Sequence, residues 1–131
     1  MSLPFIYLTD QPLDPQAIID LVKSERCGAI DIFIGTVRNQ TKEKAVERLD
    51  FEAYEKMAIQ EMAKIANSAS DKWPIEKIAI HHRTGTLNIG EIAVIIAVST
   101  PHRKASFEAC QFAIDTLKES VPIWKKEIFE D

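Results

Sequence analysis

The stretch from Ser99 to Glu127, STPHRKASFEACQFAIDTLKESVPIWKKE, constrains the fold more than any other part of this chain. It begins where an apolar strand, Glu91 to Ser99, ends, and it runs through one amphipathic helix. Thr100 suits the N-cap and Pro101 the first helical position, where a missing N–H costs nothing. Pro122 ends the helix by forcing Val121 toward extended geometry. At about 100° per residue, Phe107, Ile114 and Lys118 fall within roughly 40° of one another, flanked by Cys110 and Leu117. Arg103 lies on the same side, so the expected apolar stripe carries a cation at each end.

That placement of charge points to a ligand. His102 and Arg103 fall in the first helical turn, where the unpaired N–H groups already carry partial positive charge. Cations there make sense if an anion binds on top of them; a solvated His-Arg pair is the plainer alternative. Lys118 sits near the C-terminal end, where a lysine also suits the helix dipole with its stem on the core edge. An Ile123-Trp124 anchor would carry Lys125 and Lys126 back toward the same region, which completes a candidate basic pocket.

The rest of the chain reads as mixed strands and helices. Phe5 to Leu8 is a strand. Asp14-Pro15 opens a helix with Ile18, Leu21 and Val22 on its apolar face, closed by Gly28. Ala29 to Val37 alternates around Ile30, Ile32 and Ile34 as a strand. A polar loop, Asn39 to Ala45, leads to a strand over Val46 to Ala53 that is expected to form a hairpin with the first. Tyr54 to about Ser70 is a helix, with Met57 and Met62 as core packing, broken by Trp73-Pro74. Ile75 to His81 alternates again, and Thr84 to Gly90 joins it to Glu91–Ser99, which is apolar on both faces and so central in its sheet. The order βαββαββα with mixed connections indicates an α+β fold, one domain over residues 1–131.

Composition excludes several classes. No apolar run approaches the length of a membrane span. The N-terminus MSLPFIYLTDQP lacks the basic region of a signal peptide, so a cytoplasmic location is expected. The net charge is −4, yet residues 100–126 carry +2 and the remainder −6. A small basic focus in an acidic protein suits a small anion better than nucleic acid. His81-His82-Arg83 does not read as a metal site, because neighbouring strand residues point to opposite faces. Cys110 reads as a core thiol, and neither it nor Cys27 has a nearby activating residue. No Ser/His/Asp set, Walker loop or dinucleotide fingerprint appears. No cofactor is expected. If sulfur chemistry occurs on this chain, the sulfur arrives from elsewhere.

HR at the head of the helix, then FEAC, LK and VPIWKKE, resembles the large, catalytic subunit of molybdopterin synthase. The similarity extends upstream through GAIDIFIGTVR, LDFEAYEKMA and HHRTGTLNIGE, covering roughly residues 28 to 127 in the family's order. The resemblance implies an α/β-hammerhead fold. It also implies conversion of cyclic pyranopterin monophosphate to molybdopterin, by addition of two sulfurs as a dithiolene. The sulfur donor would be a small ubiquitin-like partner with a C-terminal thiocarboxylate, and two large subunits would form a dimer within a heterotetramer. Carried onto this sequence, the family's pattern gives phosphate binding to Arg38, His102 and Arg103, with Thr36 and Val37 beside them. It makes Lys118 the central catalytic residue, as acid, base or oxyanion stabiliser. Lys125 would contact substrate or the partner's terminal carboxyl group, and Lys126 and Glu127 continue the matching motif. A dimeric, non-catalytic binding module for a phosphorylated metabolite is the competing reading; it would need the cations but not Lys118 against the stripe.

Overall fold

The computed structural model describes residues 3–41 and 44–130. In chain order its elements are β1 (Ile6–Thr9), α1 (Pro15–Val22), β2 (Ala29–Thr36), β3 (Gln40–Thr41), β4 (Lys44–Ala53) and α2 (Glu55–Lys72). They continue with β5 (Lys77–Arg83), β6 (Gly85–Asn88), β7 (Ile92–Thr100), α3 (Arg103–Ser120) and β8 (Ile123–Phe129). The expected α+β order is kept by β1, α1, β2, β4, α2, β5, β7 and α3. Strands β3, β6 and β8 are additional.

The first sheet has the order β1-β5-β7-β2, with β1 parallel to β5 and the other pairs antiparallel. Strand β7 is central and buried from Ala93 to Thr100, as its two-sided apolar sequence requires. Its alternation sorts the helices. Val94, Ile96 and Val98 face α2 and α3, where Met62, Ile65, Cys110 and Ala113 pack against them. Ile95 and Ala97 face α1, meeting Ile18 and Val22. The same alternation splits the histidines of β5: His81 lies opposite Ile95 and His82 opposite Val94, so the two occupy opposite faces of the sheet.

A second, smaller sheet is built on β4, which pairs antiparallel with β3, β6 and β8. The expected hairpin between β2 and β4 is therefore not formed. Beyond Thr36 the chain leaves the first sheet, and β2 keeps β7 as its only strand neighbour among the described residues. The polar loop expected over Asn39–Ala45 includes the short β3–β4 pairing; its residues 42 and 43 lie outside the described residues. Arg83 fastens the two sheets at their junction: its guanidinium contacts Glu91 at 2.9 Å, and Glu91 accepts the Asn88 N–H at 2.7 Å. Those two bonds hold the Glu91 carboxyl below the usual range, the Asn88 amide being the larger cause.

Other boundaries moved for local reasons. Asp14 caps α1 by accepting from Gln16 and Ala17, but the helix ends at Val22 rather than at Gly28. Helix α3 starts two residues later than its sequence suggests. Thr100 completes the β7 ladder, its hydroxyl donates to the His102 carbonyl at 2.6 Å, and His102 becomes the N-cap position. Met62 is fully buried, whereas Met57 is 54% exposed. Among the described residues no helix is long and apolar enough to cross a membrane.

Both buried histidines have pKa values lowered from the ordinary 6.5, chiefly by burial, with one backbone hydrogen bond each opposing the shift. They stay neutral in the fold and can charge in the unfolded chain, so below pH 6.5 the unfolded state binds more protons. Their contribution to stability is held above that pH and lost as pH falls toward the lowered values. The thermal midpoint should therefore drop between about pH 7 and pH 5. His81→Gln, which keeps a donor for the Pro4 carbonyl now bonded at 2.8 Å, should flatten that slope; an unchanged slope would remove His81 as a contributor.

Candidate active site

Where the end of the first sheet meets the second, the side chains leave a cavity of about 430 Å³, a size that suits a small ligand. Phe33 and Gly35 of β2, His82 of β5 and Val94 of β7 line it from the first sheet. Leu49 and Phe51 come from β4, and Ile123, Trp124 and Lys125 from β8. Ile114, Leu117 and Lys118, on the last turns of α3, complete the lining. Gly35 keeps this space open: a Cβ there would stand 2.7 Å from Val94 Cγ1 and 3.2 Å from the Phe33 ring.

The two lysines arrive by different routes. Lys118 follows Leu117 and lies one turn beyond Ile114, so its stem starts on the cavity wall while the residue stays exposed. Lys125 stands opposite Phe51 in the β4–β8 ladder. The apolar face of α3 is rotated from the expected stripe. Ser106, Ala109, Cys110, Ala113, Ile114 and Leu117 are buried, and Phe107 is 57% exposed. The small residues allow the helix to approach the sheet closely, so the buried face follows Ala and Ser rather than bulk. Lys118 then sits on the border of that face.

Of the other candidate residues, Thr36 and Val37 line the cavity. Val37 is buried and tied down on both sides: its N–H donates to the Glu91 carbonyl at 3.0 Å, and its carbonyl accepts from Gly90 at 2.9 Å. Arg38 follows immediately and is exposed. Lys126 points to the opposite face of β8 from Lys125, by strand alternation. Glu127 returns to Lys125's face, opposite Leu49, and its Oε2 is buried without a hydrogen-bond partner among the described residues. A donor brought by a bound molecule would satisfy it.

His102 and Arg103 do not join this group. Arg103 opens α3 and Lys118 lies in its last turn, about 22 Å apart along the axis. The Gly28 N–H donates to the Pro101 carbonyl at 3.2 Å, which fixes the turn before α3 beside the start of β2, whereas Arg38 lies past its end. Within one chain the candidate basic pocket is therefore divided by the length of one helix. No ion pair among the described residues engages Arg38, His102, Arg103, Lys118, Lys125 or Lys126.

Neither cysteine lines the cavity. Cys110 is a core thiol, as its sequence setting suggests. Burial, with Asp31 as the next cause, pushes it up to about 12, and its Sγ lies 3.8 Å from the Ile96 carbonyl. Among the described residues no group of three or more His, Cys, Asp or Glu gathers to hold a metal ion.

The profile of the MoaE protein family matches residues 8–120. The chain belongs to the MoaE family. It is 52% identical over 124 residues to the molybdopterin synthase catalytic subunit of Bacillus subtilis, covering 95% of this chain and 79% of that one. The human molybdopterin synthase catalytic subunit is 48% identical over 130 residues, covering 99% and 69%. Among solved structures, molybdopterin synthase from Staphylococcus aureus superposes with a TM-score of 0.94 at 42% identity, covering 98% of this chain and 94% of that one. A complex of subunits 1 and 2 of the molybdopterin-converting factor from Helicobacter pylori shares the fold, with a TM-score of 0.78 at 23% identity over 95% and 86% of the two chains. This MoaE chain is thus an enzyme of molybdenum cofactor biosynthesis, and the competing reading as a non-catalytic binding module falls away.

Gly35→Ala tests the cavity's construction. The added methyl must displace Val94 or Phe33 in the sheet, and overpacking of this kind costs about 1–3 kcal/mol. Urea unfolding should show that loss; unchanged stability would mean that the junction can relax around position 35.

Proposed function

We propose that this chain transfers sulfur to cyclic pyranopterin monophosphate in the 430 Å³ cavity, using a thiocarboxylate supplied by a small ubiquitin-like subunit. One observation supports this above the others. The cavity presents two lysines and no cysteine, so it has the charge to hold and activate an anionic reactant but no sulfur of its own. An extended C-terminal tail entering between Phe51, Trp124 and Lys118 would deliver that sulfur. The Helicobacter pylori relative, with the same fold, was solved together with a second subunit, which fits such a docking partner.

In this reading Lys118 is the central catalytic residue. Its ammonium exchanges a proton with the reacting groups, or stabilises the oxyanion on the partner's carbonyl oxygen as water attacks that acyl carbon and the sulfur, already bonded to the substrate, leaves with it. Lys125 holds the substrate or the partner's terminal carboxyl group. Arg38, with Thr36 and Val37 beside it, binds the phosphate, and Glu127, on the strand face of Lys125, joins in binding the substrate. Two unpaired cysteines agree with a reducing, cytoplasmic setting.

His102 and Arg103 enter from a second copy of the chain. Strand β2 lies at an open edge of the first sheet, and Ile30, Ile34 and Phe107 nearby are exposed. Antiparallel pairing of two β2 strands about a two-fold axis near Ile32 would bring the start of each strand beside the end of the other. The Pro101–Arg103 turn, bonded to Gly28, would then stand next to the partner copy's phosphate-binding arginine. Each cavity of the dimer would be completed by the other chain's helix N-terminus.

Lys118→Ala should lose about two to four decades in rate with the precursor and a thiocarboxylated small subunit, and only about 1 kcal/mol in stability. Lys118→Arg should be nearly as inactive if the amine exchanges a proton, since a guanidinium keeps its own. Wild-type turnover by Lys118→Ala would refute the assignment.

Mixing inactive Arg103→Ala and Lys118→Ala chains tests the shared site. Free exchange of protomers should restore about one quarter of the sites, because each mixed dimer contains one intact cavity. No recovery would place Arg103 in the same chain's site or in none.

A further inference from the structure

We infer that His82 is the cavity's neutral hydrogen-bond acceptor, taking an N–H or O–H donor of the bound substrate on Nε2. The inference rests on the functional reading above and adds a recognition residue to it. His82 is 5% exposed, and it reaches the cavity from β5, opposite Val94. Its Nδ1 lies 2.8 Å from the Arg83 carbonyl oxygen. A carbonyl can only accept, so Nδ1 carries the hydrogen, and in the neutral ring Nε2 keeps its lone pair.

No hydrogen bond engages that lone pair among the described residues, and Nε2 is not among the buried unpaired atoms, so it stays open to the cavity that the ring lines. The ring is held on its other sides. Phe51 meets it edge to face at 5.3 Å between centroids, and Arg83, which supplies the carbonyl, is anchored by Glu91 at 2.9 Å and by the Asp10 carbonyl at 3.4 Å. Burial lowers the pKa of the ring, which agrees with a neutral acceptor. His81, by contrast, spends Nε2 on the Pro4 carbonyl and lines a separate depression with Leu13, Asp14 and Ala17 on the α1 side of the sheet.

The remaining polar groups of the cavity are mainly donors: the two lysine ammonium groups, with Arg38 beside them. They recognise phosphate and carboxylate oxygens but nothing that itself donates. A reduced pterin carries several N–H donors along its ring edge; besides the exposed Thr36 hydroxyl, His82 is the lining side chain that accepts, and it does so from a buried, fixed position. The lysines thus select the charge of the ligand, and His82 selects the heterocycle.

The test is calorimetric titration of the chain with cyclic pyranopterin monophosphate. His82→Phe keeps the ring's bulk and its contact with Phe51 but loses the acceptor; it should bind about tenfold more weakly. His82→Gln can place an amide oxygen near the Nε2 position, and it should recover most of that loss. If the wild type binds no precursor, the functional reading fails and this assignment with it. If the wild type binds and His82→Phe binds equally well, only the His82 assignment is overturned.

A measurement on the wild type guards against a variant that does not fold. The chain has three histidines, so 15N labelling of their rings gives a simple spectrum. The precursor should shift the His82 Nε2 resonance in the direction of hydrogen bonding and leave Nδ1 nearly still. A structural histidine would show neither effect, and an unmoved Nε2 at saturation overturns the proposal.

Discussion

Strand β7 lies between β5 and β2 with helices over both of its faces, so its register fixes the positions that the first sheet gives the site. A slip of one residue would exchange the Val94 and Ile95 faces. His82 and Gly35 share a row with Val94, and the α3 face that carries Ile114 and Leu117 packs over it. The slip would put Ile95 in the place of Val94 beside those groups and break the wall they share. Because β7 has no solvent-facing side to absorb an error, the apolar run that makes it central also makes the cavity reproducible.

The parts of the fold legible in the sequence are those decided within one element. The two-sided apolar run gave β7 its place, Asp14-Pro15 the start of α1, and Pro122 the end of α3. Pairings between distant segments were not legible. Strand β4 alternates well enough for a hairpin with β2, yet it joins β6 and β8, because only tertiary packing decides between two possible partners. Strand β8 was hidden by its charges: Lys125, Lys126 and Glu127 suggest a solvated segment, and their alternation across two faces shows only beside β4.

The site was legible as a set of residue types and not as a place. Thr36, Val37, Lys118 and Lys125 come together, while His102 and Arg103 lie a helix length away from Lys118. Helical periodicity puts residues on one side of a cylinder and says nothing of their separation along it. His82 was within reach: alternation showed that His81 and His82 face opposite ways, which excluded shared chelation of a metal. The same fact means that the two rings have different neighbours and different tasks. It takes the register with Val94 to tell which one meets the cavity.

The depth at which each group sits follows from the cost of removing charge from water. An uncompensated ammonium or guanidinium deep in an apolar site is expensive, so charged groups stay where solvent can reach them. Lys118, Lys125 and Arg38 are all exposed residues at or beside the cavity. The group drawn from the buried row of the sheet is an imidazole, which can stay neutral and still accept a hydrogen bond. Glu127 departs from this order with a buried, unpaired Oε2, on the strand face it shares with Lys125. A carboxylate in that position gains most when a cation or donor settles against it. Excluding water from the cavity would strengthen such a contact, so Glu127 stands to gain from a bound donor what none of the described residues supplies.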